Sequence, residues 1–385
     1  MKRLAWMARW MVVACFAGGS PALACILCQG GGQAPTFRQS AERAKLVLYG
    51  TLANPRLDAA NDSGTVDLKI AKVLKPDPFI KGKKAVQLQR YVPVEAKDPP
   101  KFLVFCDVYQ DKDKHDQLDA YQGMQVKSAA VAEYLQGILA LDPKDRTKAL
   151  LYFFKYLDDA DLLISNDAYV EFAKANDKEI GAVAGKLSPA KLRDWLTSDK
   201  TPANRLSLYA FLLGACGSDK DAELLRSLLR DPNERMAGAI DGLLSGYIKL
   251  RPREGWDLVV AMLRDEKKPF PERFNVLRTV RFYHGWKPED TRREVLQAVA
   301  GTLGQGDFAD MTIDDLRRWE LWDLTGDVLA QFDKKSHAAP IMRRTIVRYA
   351  LCCPKPEASR FVAGVRRREP ELVKDVEEEL QFEKK

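Results

Sequence analysis

Cys25 and Cys28, in the stretch PALACILCQG, are the residues of this 385-residue chain whose types and spacing could do chemistry. A CxxC pair serves as a redox couple, as half of a metal site, as a lipid acceptor or as one end of a disulfide. Thioredoxin-type redox catalysis needs a strand that feeds the pair into a helix N-terminus, which lowers the thiol pKa. Nothing ahead of Cys25 supplies that strand once an export signal is removed. A zinc site needs two more ligands, and Cys106 and His115 are those at hand. For lipidation, small residues precede Cys25, but Leu23 sits at −2, where a lipoprotein signal has its leucine at −3.

Other reactive constellations are missing from the sequence. His115, His284 and His337 stand apart, with no acidic or cysteine partner at ligand spacing, and there is no HExxH, GxSxG, P-loop or GxGxxG followed by a suitable unit. QGGGQ (29–33) precedes no strand-to-helix phosphate cradle and reads as a tether behind Cys28. The expectation is a non-enzymatic protein with no catalytic residue, metal or cofactor. The most site-like stretch elsewhere is RFYHGWKPED (281–290), where Tyr283, His284 and Trp286 form a candidate surface-binding cluster; the competing role is filling space between helices. DLRRWELWDL (315–324) reads as core (Leu316, Trp319) plus surface charge (Arg317, Arg318, Asp323).

The address precedes the elements that position these residues. Lys2, Arg3 and Arg9, the apolar run WMVVACFA (10–17) and Ala22-Leu23-Ala24 have the order of a secretory signal over residues 1–24. The apolar run is far shorter than the ~20 residues that span a bilayer. Removing the signal takes away three positive charges and no negative one, so the net charge falls from +7 to +4. Cys15 leaves with it. The expected destination is the periplasm, cell envelope or extracellular space, without a transmembrane span, and with a lipid anchor open at Cys25.

Hydrophobic residues at 46% and charged residues at 30% exclude a disordered chain and a polytopic membrane protein. Arg292-Arg293, Arg317-Arg318, Arg343-Arg344 and Arg366 to Arg368 each lie beside acids such as Glu294, Asp314, Asp315 and Glu369. Solvated helix faces fit them better than a nucleic-acid footprint. Cys216, Cys352 and Cys353 fall in helical patterns and read as small buried hydrophobes.

Between residues 46 and 109 the apolar period is two. LVLYGTLA (46–53), GTVDLKIAKVLK (64–75), KAVQLQRYV (84–92) and KFLVFCDVY (101–109) are separated by turn formers such as NDSG and KDPP, and a short helix around TFRQSAERAK precedes them. Four or five antiparallel strands in this span predict a small barrel or sandwich.

The order of these elements, with cysteines near the cleavage point, AERAKLVLYGTL, the strand into KVLK, the GKK strand and KFLVFCDVY, resembles the netrin-like domain, the OB-fold module shared with tissue inhibitors of metalloproteinases. The resemblance covers about residues 25 to 110 within a domain spanning 25–125. It implies that Cys25 is a zinc-chelating terminus and that Cys106 is a disulfide partner of Cys25 or Cys28. It also implies a metalloprotease inhibitor as an alternative function, beside a thiol-disulfide enzyme using Cys25 and Cys28. The inhibitors begin CxC where this chain has CxxC.

From about residue 128 the period changes to 3.6. Pro-x-x-Arg recurs as Pro143/Arg146, Pro202/Arg205, Pro232/Arg235 and Pro340/Arg343, with a variant at Pro271 and Arg273. Counting from the arginine, +3, +4, +7 and +8 are apolar in copy after copy: Ala149, Leu150, Phe153 and Phe154; Leu208, Tyr209, Leu212 and Leu213; Ile346, Val347, Ala350 and Leu351. Each proline is expected at the first helical position, where its missing N–H costs nothing. Second helices follow in DAELLRSLLRD, GWDLVVAMLRD, RREVLQAVAGTL and EASRFVAGVRR. The pattern is similar to HEAT-type repeats and predicts an α-solenoid over 128–375, then a charged tail over 376–385. The predicted fold class is thus multidomain β plus α, a small OB-like barrel followed by an all-α HEAT-like solenoid. The predicted function is an exported scaffold that binds a protein partner, not nucleic acid, through a concave surface.

Overall fold

The alternating apolar residues from Leu46 onward do form strands. The computed structural model describes residues 35–58, 63–95, 97–231 and 233–383. In it β1 (Leu46–Asp58), β2 (Ser63–Lys75), β3 (Ala85–Leu88), β4 (Lys101–Gln110) and β5 (Asp116–Val126) make one antiparallel sheet in the order β3-β2-β1-β4-β5. β5, DQLDAYQGMQV, does not stand out in the sequence; three glutamines and two aspartates interrupt its apolar residues, as an edge strand tolerates.

Register shifts between Val47/Leu48, Tyr49/Gly50 and Ala53/Arg56 bend β1, the central strand. At Gly50 a Cβ would run into the Lys69 carbonyl of β2, so glycine is what permits that close pairing. Bending gives the sheet two different faces. One gathers Leu46, Leu48, Leu52, Val66, Leu68, Val86, Leu88 and Val104 into a core of its own. On the other, Val47, Tyr49, Leu103 and Phe105 join the core of the helices. The edge strands β3 and β5 approach within 8 Å between Cα atoms without pairing, so the sheet is open.

α1 (Phe37–Arg43) precedes β1 and carries a capping box built on Thr36 and Gln39. After β5 come α2 (Ala130–Leu139), α3 (Arg146–Phe154), α4 (Leu162–Ala173), α5 (Asp177–Ala184), α6 (Pro189–Thr197), α7 (Ala203–Cys216), α8 (Asp219–Leu228), α9 (Glu234–Ala237) and α10 (Ile240–Leu250). Then follow α11 (Pro252–Arg264), α12 (Phe270–Trp286), α13 (Pro288–Ala300), α14 (Ala309–Arg318), α15 (Thr325–Leu329), α16 (Pro340–Cys352), α17 (Pro356–Arg368) and α18 (Pro370–Glu383). α7 packs on α10 and α10 on α12, while α8, α11 and α13 flank them; α16 packs between α14 and α18. No described helix is long and apolar enough to cross a membrane.

The contact of α7 with α10 is made by small residues. Gly242 and Gly246 lie against Ser207 and Ala210 so closely that a Cβ on either glycine would overlap α7 backbone. Beside it Asp241, fully buried, accepts from the Ser207 hydroxyl at 2.7 Å and pairs with Arg278 of α12 at 2.8 Å. α7, α10 and α12 are thereby tied at one point.

The repeated arginines are ties between neighbouring helices. Arg146 contacts Glu171 at 2.8 Å and Glu179 at 3.2 Å. Arg205 bonds Asn166 and lies over the Tyr169 ring at 4.3 Å. Arg235 donates to the carbonyls of Ser198 and Thr201. Arg273 is buried against Gln305, Asp307 and the Phe308 ring. Arg343 joins Glu369 at 2.6 Å and lies over Phe332 at 4.2 Å.

Their prolines are less uniform than expected. Pro340 opens α16, but Pro202 is the N-cap of α7, and Pro143 lies in the turn before α3, whose N-cap is Asp145. The Asp145 carboxylate accepts from the Lys148 N–H and so supplies the start itself. Pro232 lies outside the described residues. The proline rule holds better for helices read as second members, since Pro252, Pro288 and Pro356 all stand at the first turn of their helices.

The segment expected as a charged tail continues α18 through Glu383, with Val376 buried. Its acids are taken up by Arg344, which reaches Asp375 at 2.7 Å and Glu379 at 2.5 Å, and by Arg317, which reaches Glu383 at 3.0 Å. The other arginine clusters are also paired, as in Arg292 with Asp323 at 2.6 Å and Arg366 with Glu377 at 2.5 Å.

Candidate functional site

α11 has a recess on each of two sides. Its apolar stripe of Trp256, Val259, Val260 and Leu263 is buried, and this fixes its exposed face. On the side toward α8 a cleft of about 710 Å³ has Leu229, Met236, Ile240, Leu258 and Met262 for apolar lining. Arg226, Arg230 and Lys268 line it together with Asp231, Glu254 and Glu272. On the side toward α13 a second cleft, about 630 Å³, is lined by Lys249, Arg253, Trp256, Tyr283, Trp286 and Lys287. A third, about 640 Å³, opens on the curled sheet beside Leu52, Val66, Leu88, Phe102 and Val104.

The second cleft takes in part of the aromatic cluster read from the sequence and divides it. Tyr283 is buried, donates its hydroxyl proton to the Ser245 carbonyl at 2.8 Å, and meets Trp256 with ring centres 5.4 Å apart. Trp286 packs on Phe211 and Phe282, each at 4.4 Å. His284 stacks instead on Trp319 of the next helical pair, at 4.1 Å. Burial, helped by Arg292, lowers the pKa of that imidazole. Leu316 of the neighbouring stretch is buried in the core, as expected.

Sequence spacing gave no sign of the charge cluster at the edge of this cleft. Asp177 opens α5, and its carboxylate lies 3.7 Å from the Lys249 ammonium at the end of α10 and 3.2 Å from that of Lys287 just beyond α12. Lys249 also lies 4.7 Å from the centre of a Trp286 ring and 5.4 Å from that of Phe211. Burial holds its pKa below the usual lysine range; Asp177 opposes the shift and Lys287 adds to it. The ends of α5, α10 and α12 are therefore gathered around one carboxylate, with aromatic rings filling the space between them.

Cys25 and Cys28 lie outside the described residues. Cys106 is a free thiol with no exposed surface, in the sheet's own core, and burial with Asp119 nearby pushes its pKa up to about 12. His115, the other ligand within reach in the sequence, does have acidic partners at ligand spacing, contrary to the sequence reading: exposed at the β4–β5 turn, it groups with Asp111 and Asp113, their ligand atoms within 4.8 Å of one another. The Asp111 carboxylate is already engaged by the backbone N–H groups of Asp113 and His115 and by Gln117. Cys216 and Cys352 are half-buried and Cys353 is buried, all three as free thiols. His337 is buried and bonded to the Leu303 carbonyl.

The first helical pairs hold α1 and the residue before it through two buried acids one turn apart on α4. Asp167 accepts from the Phe37 N–H at 2.7 Å and from the Tyr134 hydroxyl at 2.8 Å. Glu171 accepts from the Thr36 hydroxyl at 2.6 Å and pairs with Arg38 and Arg146. Burial pushes Asp167 up to about 6. At Glu171 burial acts the same way, but the Thr36 and Arg146 hydrogen bonds and the two guanidinium charges outweigh it and hold the pKa low. Compared with known proteins, the chain matches no family model, no curated protein and no solved structure.

Proposed function

We propose that this protein is an exported, non-enzymatic scaffold, an OB-like barrel of the netrin type docked on a HEAT-like α-solenoid, and that it binds a protein partner along the flank of α11. The observation that carries the reading is the cleft between α8 and α11. It combines an apolar lining with cations and anions in similar number, as protein interfaces combine an apolar centre with a polar rim. The core that Val47, Tyr49, Leu103 and Phe105 share with the helices supports it too, because it joins the sheet to the start of the helical array. Cys25 at a cleavage edge is consistent with anchoring to an envelope.

The test is site-specific photo-crosslinking in the cells that make the protein. A benzophenone amino acid at Leu258 or exposed Asp257 is expected to give one recurrent protein adduct, with exposed Lys220 on α8 as the control. Adducts equally frequent at Lys220, or none at either cleft position, would overturn the reading.

A further inference from the structure

The cleft between α11 and α13 holds an amine in an unusual setting, and we propose that Lys249 is an acyl-acceptor site, modified by small activated acyl donors of the acyl phosphate or thioester class. The proposal goes beyond the scaffold reading and does not depend on it. Access comes first: Lys249 lines an open cleft of about 630 Å³, and its side chain keeps 22% of its surface exposed. That volume admits a short acyl phosphate readily.

The surroundings pair the ammonium form incompletely. The groups facing Lys249 are Asp177 of α5, Phe211 of α7, and Trp286 and Lys287 at the end of α12. Asp177 is the single carboxylate within 4 Å among the described residues, and it sits closer to Lys287, at 3.2 Å against 3.7 Å. Lys287 has a second carboxylate, Asp290, at 3.9 Å. Lys249 is thus the less well paired of two adjacent ammonium groups and the more buried. Desolvation and a neighbouring cation are the two conditions that activate a lysine as a nucleophile. The faces of Phe211 and Trp286 favour the cation, whereas burial and the Lys287 charge act against it.

The step balances without an oxidant or reductant. The lone pair of Nζ attacks the acyl carbon, and the bond from that carbon to the phosphate oxygen, or to the thioester sulfur, breaks. The leaving group departs with the electron pair, the nitrogen gives its extra proton to water, and an amide remains. The product carries no charge, so Asp177 keeps Lys287 alone and α5 loses its tie to α10.

Acetyl phosphate is the probe, applied to the folded full chain at neutral pH and low conversion, with acetylation read at each lysine by peptide mass spectrometry. Lys249 is expected to react several-fold faster than exposed Lys220 and Lys267, with the excess shrinking in strongly alkaline buffer. Asp177→Asn should raise the rate at Lys249 by removing its counter-charge. Lys287→Gln should lower it by removing the like charge and freeing Asp177. Circular dichroism checks that each variant is folded. Acetylation of Lys249 no faster than that of Lys220 and Lys267, or a rate that neither substitution moves, would overturn the proposal.

Discussion

The Thr36 hydroxyl donates to Glu171 at 2.6 Å across 135 positions of sequence, and in doing so joins the segment before the sheet to the second helical pair. Glu171 is fully buried and also serves Arg38 and Arg146, so removing it leaves Arg38 with Glu42 alone, Arg146 with Glu179 alone and the Thr36 hydroxyl without its acceptor. Glu171→Ala is expected to cost about 2–3 kcal/mol, the loss of buried hydrogen bonds to a charged group whose partners keep other acids. Urea unfolding followed by far-ultraviolet circular dichroism measures it. A change under about 1 kcal/mol would mean that the link does not hold the two parts together.

Asp167 makes stability depend on pH in the opposite sense to an ordinary paired carboxylate. Its folded pKa is pushed up to about 6, by burial first, from an unfolded value of 3.8. Between those values the folded chain keeps a proton that the unfolded chain has released, so this group's contribution falls as pH rises from about 4 to 6. The upper limit of the effect is about 3 kcal/mol. Asp167→Asn should therefore gain on the parent protein as pH is raised through that window. Parallel stability curves for the two proteins would refute the assignment.

Gly246 tests the close approach of α7 and α10. A Cβ there would overlap the Ala210 carbonyl, which belongs to a helix backbone and cannot swing aside. Gly246→Ala, favoured by helix propensity alone by up to about 1 kcal/mol, is expected instead to destabilise by about 1–3 kcal/mol or more. A melting temperature at or above that of the parent would show that the helices can separate at little cost.

Cys106 should be inert in the native protein. Burial pushes its thiol up to about 12, and no part of it is exposed. Alkylation under native conditions is expected to spare Cys106 and Cys353, and unfolding without reductant to expose Cys106 to the reagent. A Cys106 that stays unlabelled after unfolding and is labelled only after reduction would reveal a bridge, the pairing implied by the netrin resemblance.

Much of the layout can be read in the sequence because it rests on local periodicity. Val66 and Leu68 alternate with Thr65 and Asp67, and a strand with one buried face results. Leu208, Tyr209, Leu212 and Leu213 recur at helical spacing, and all four are buried in α7. The repeated arginines could be picked out in the same way, although what each one touches could not. β5 is harder to read because glutamines and aspartates break up its apolar residues, and the helix through Glu383 because its acids are neutralised by arginines from other elements.

The sequence by itself thus determined the change from strands to helices near residue 128, the apolar faces that drive burial and the positions of the interhelical arginines, because each depends on neighbours within two turns of chain. Only the tertiary structure decided that Asp167 and Glu171 receive α1, that Tyr283 and His284 face different partners, and that Asp177 lies between Lys249 and Lys287. Those meetings depend on how successive helices stack, and stacking is set by side-chain volume and close backbone approach over long separations, which no spacing along the chain records.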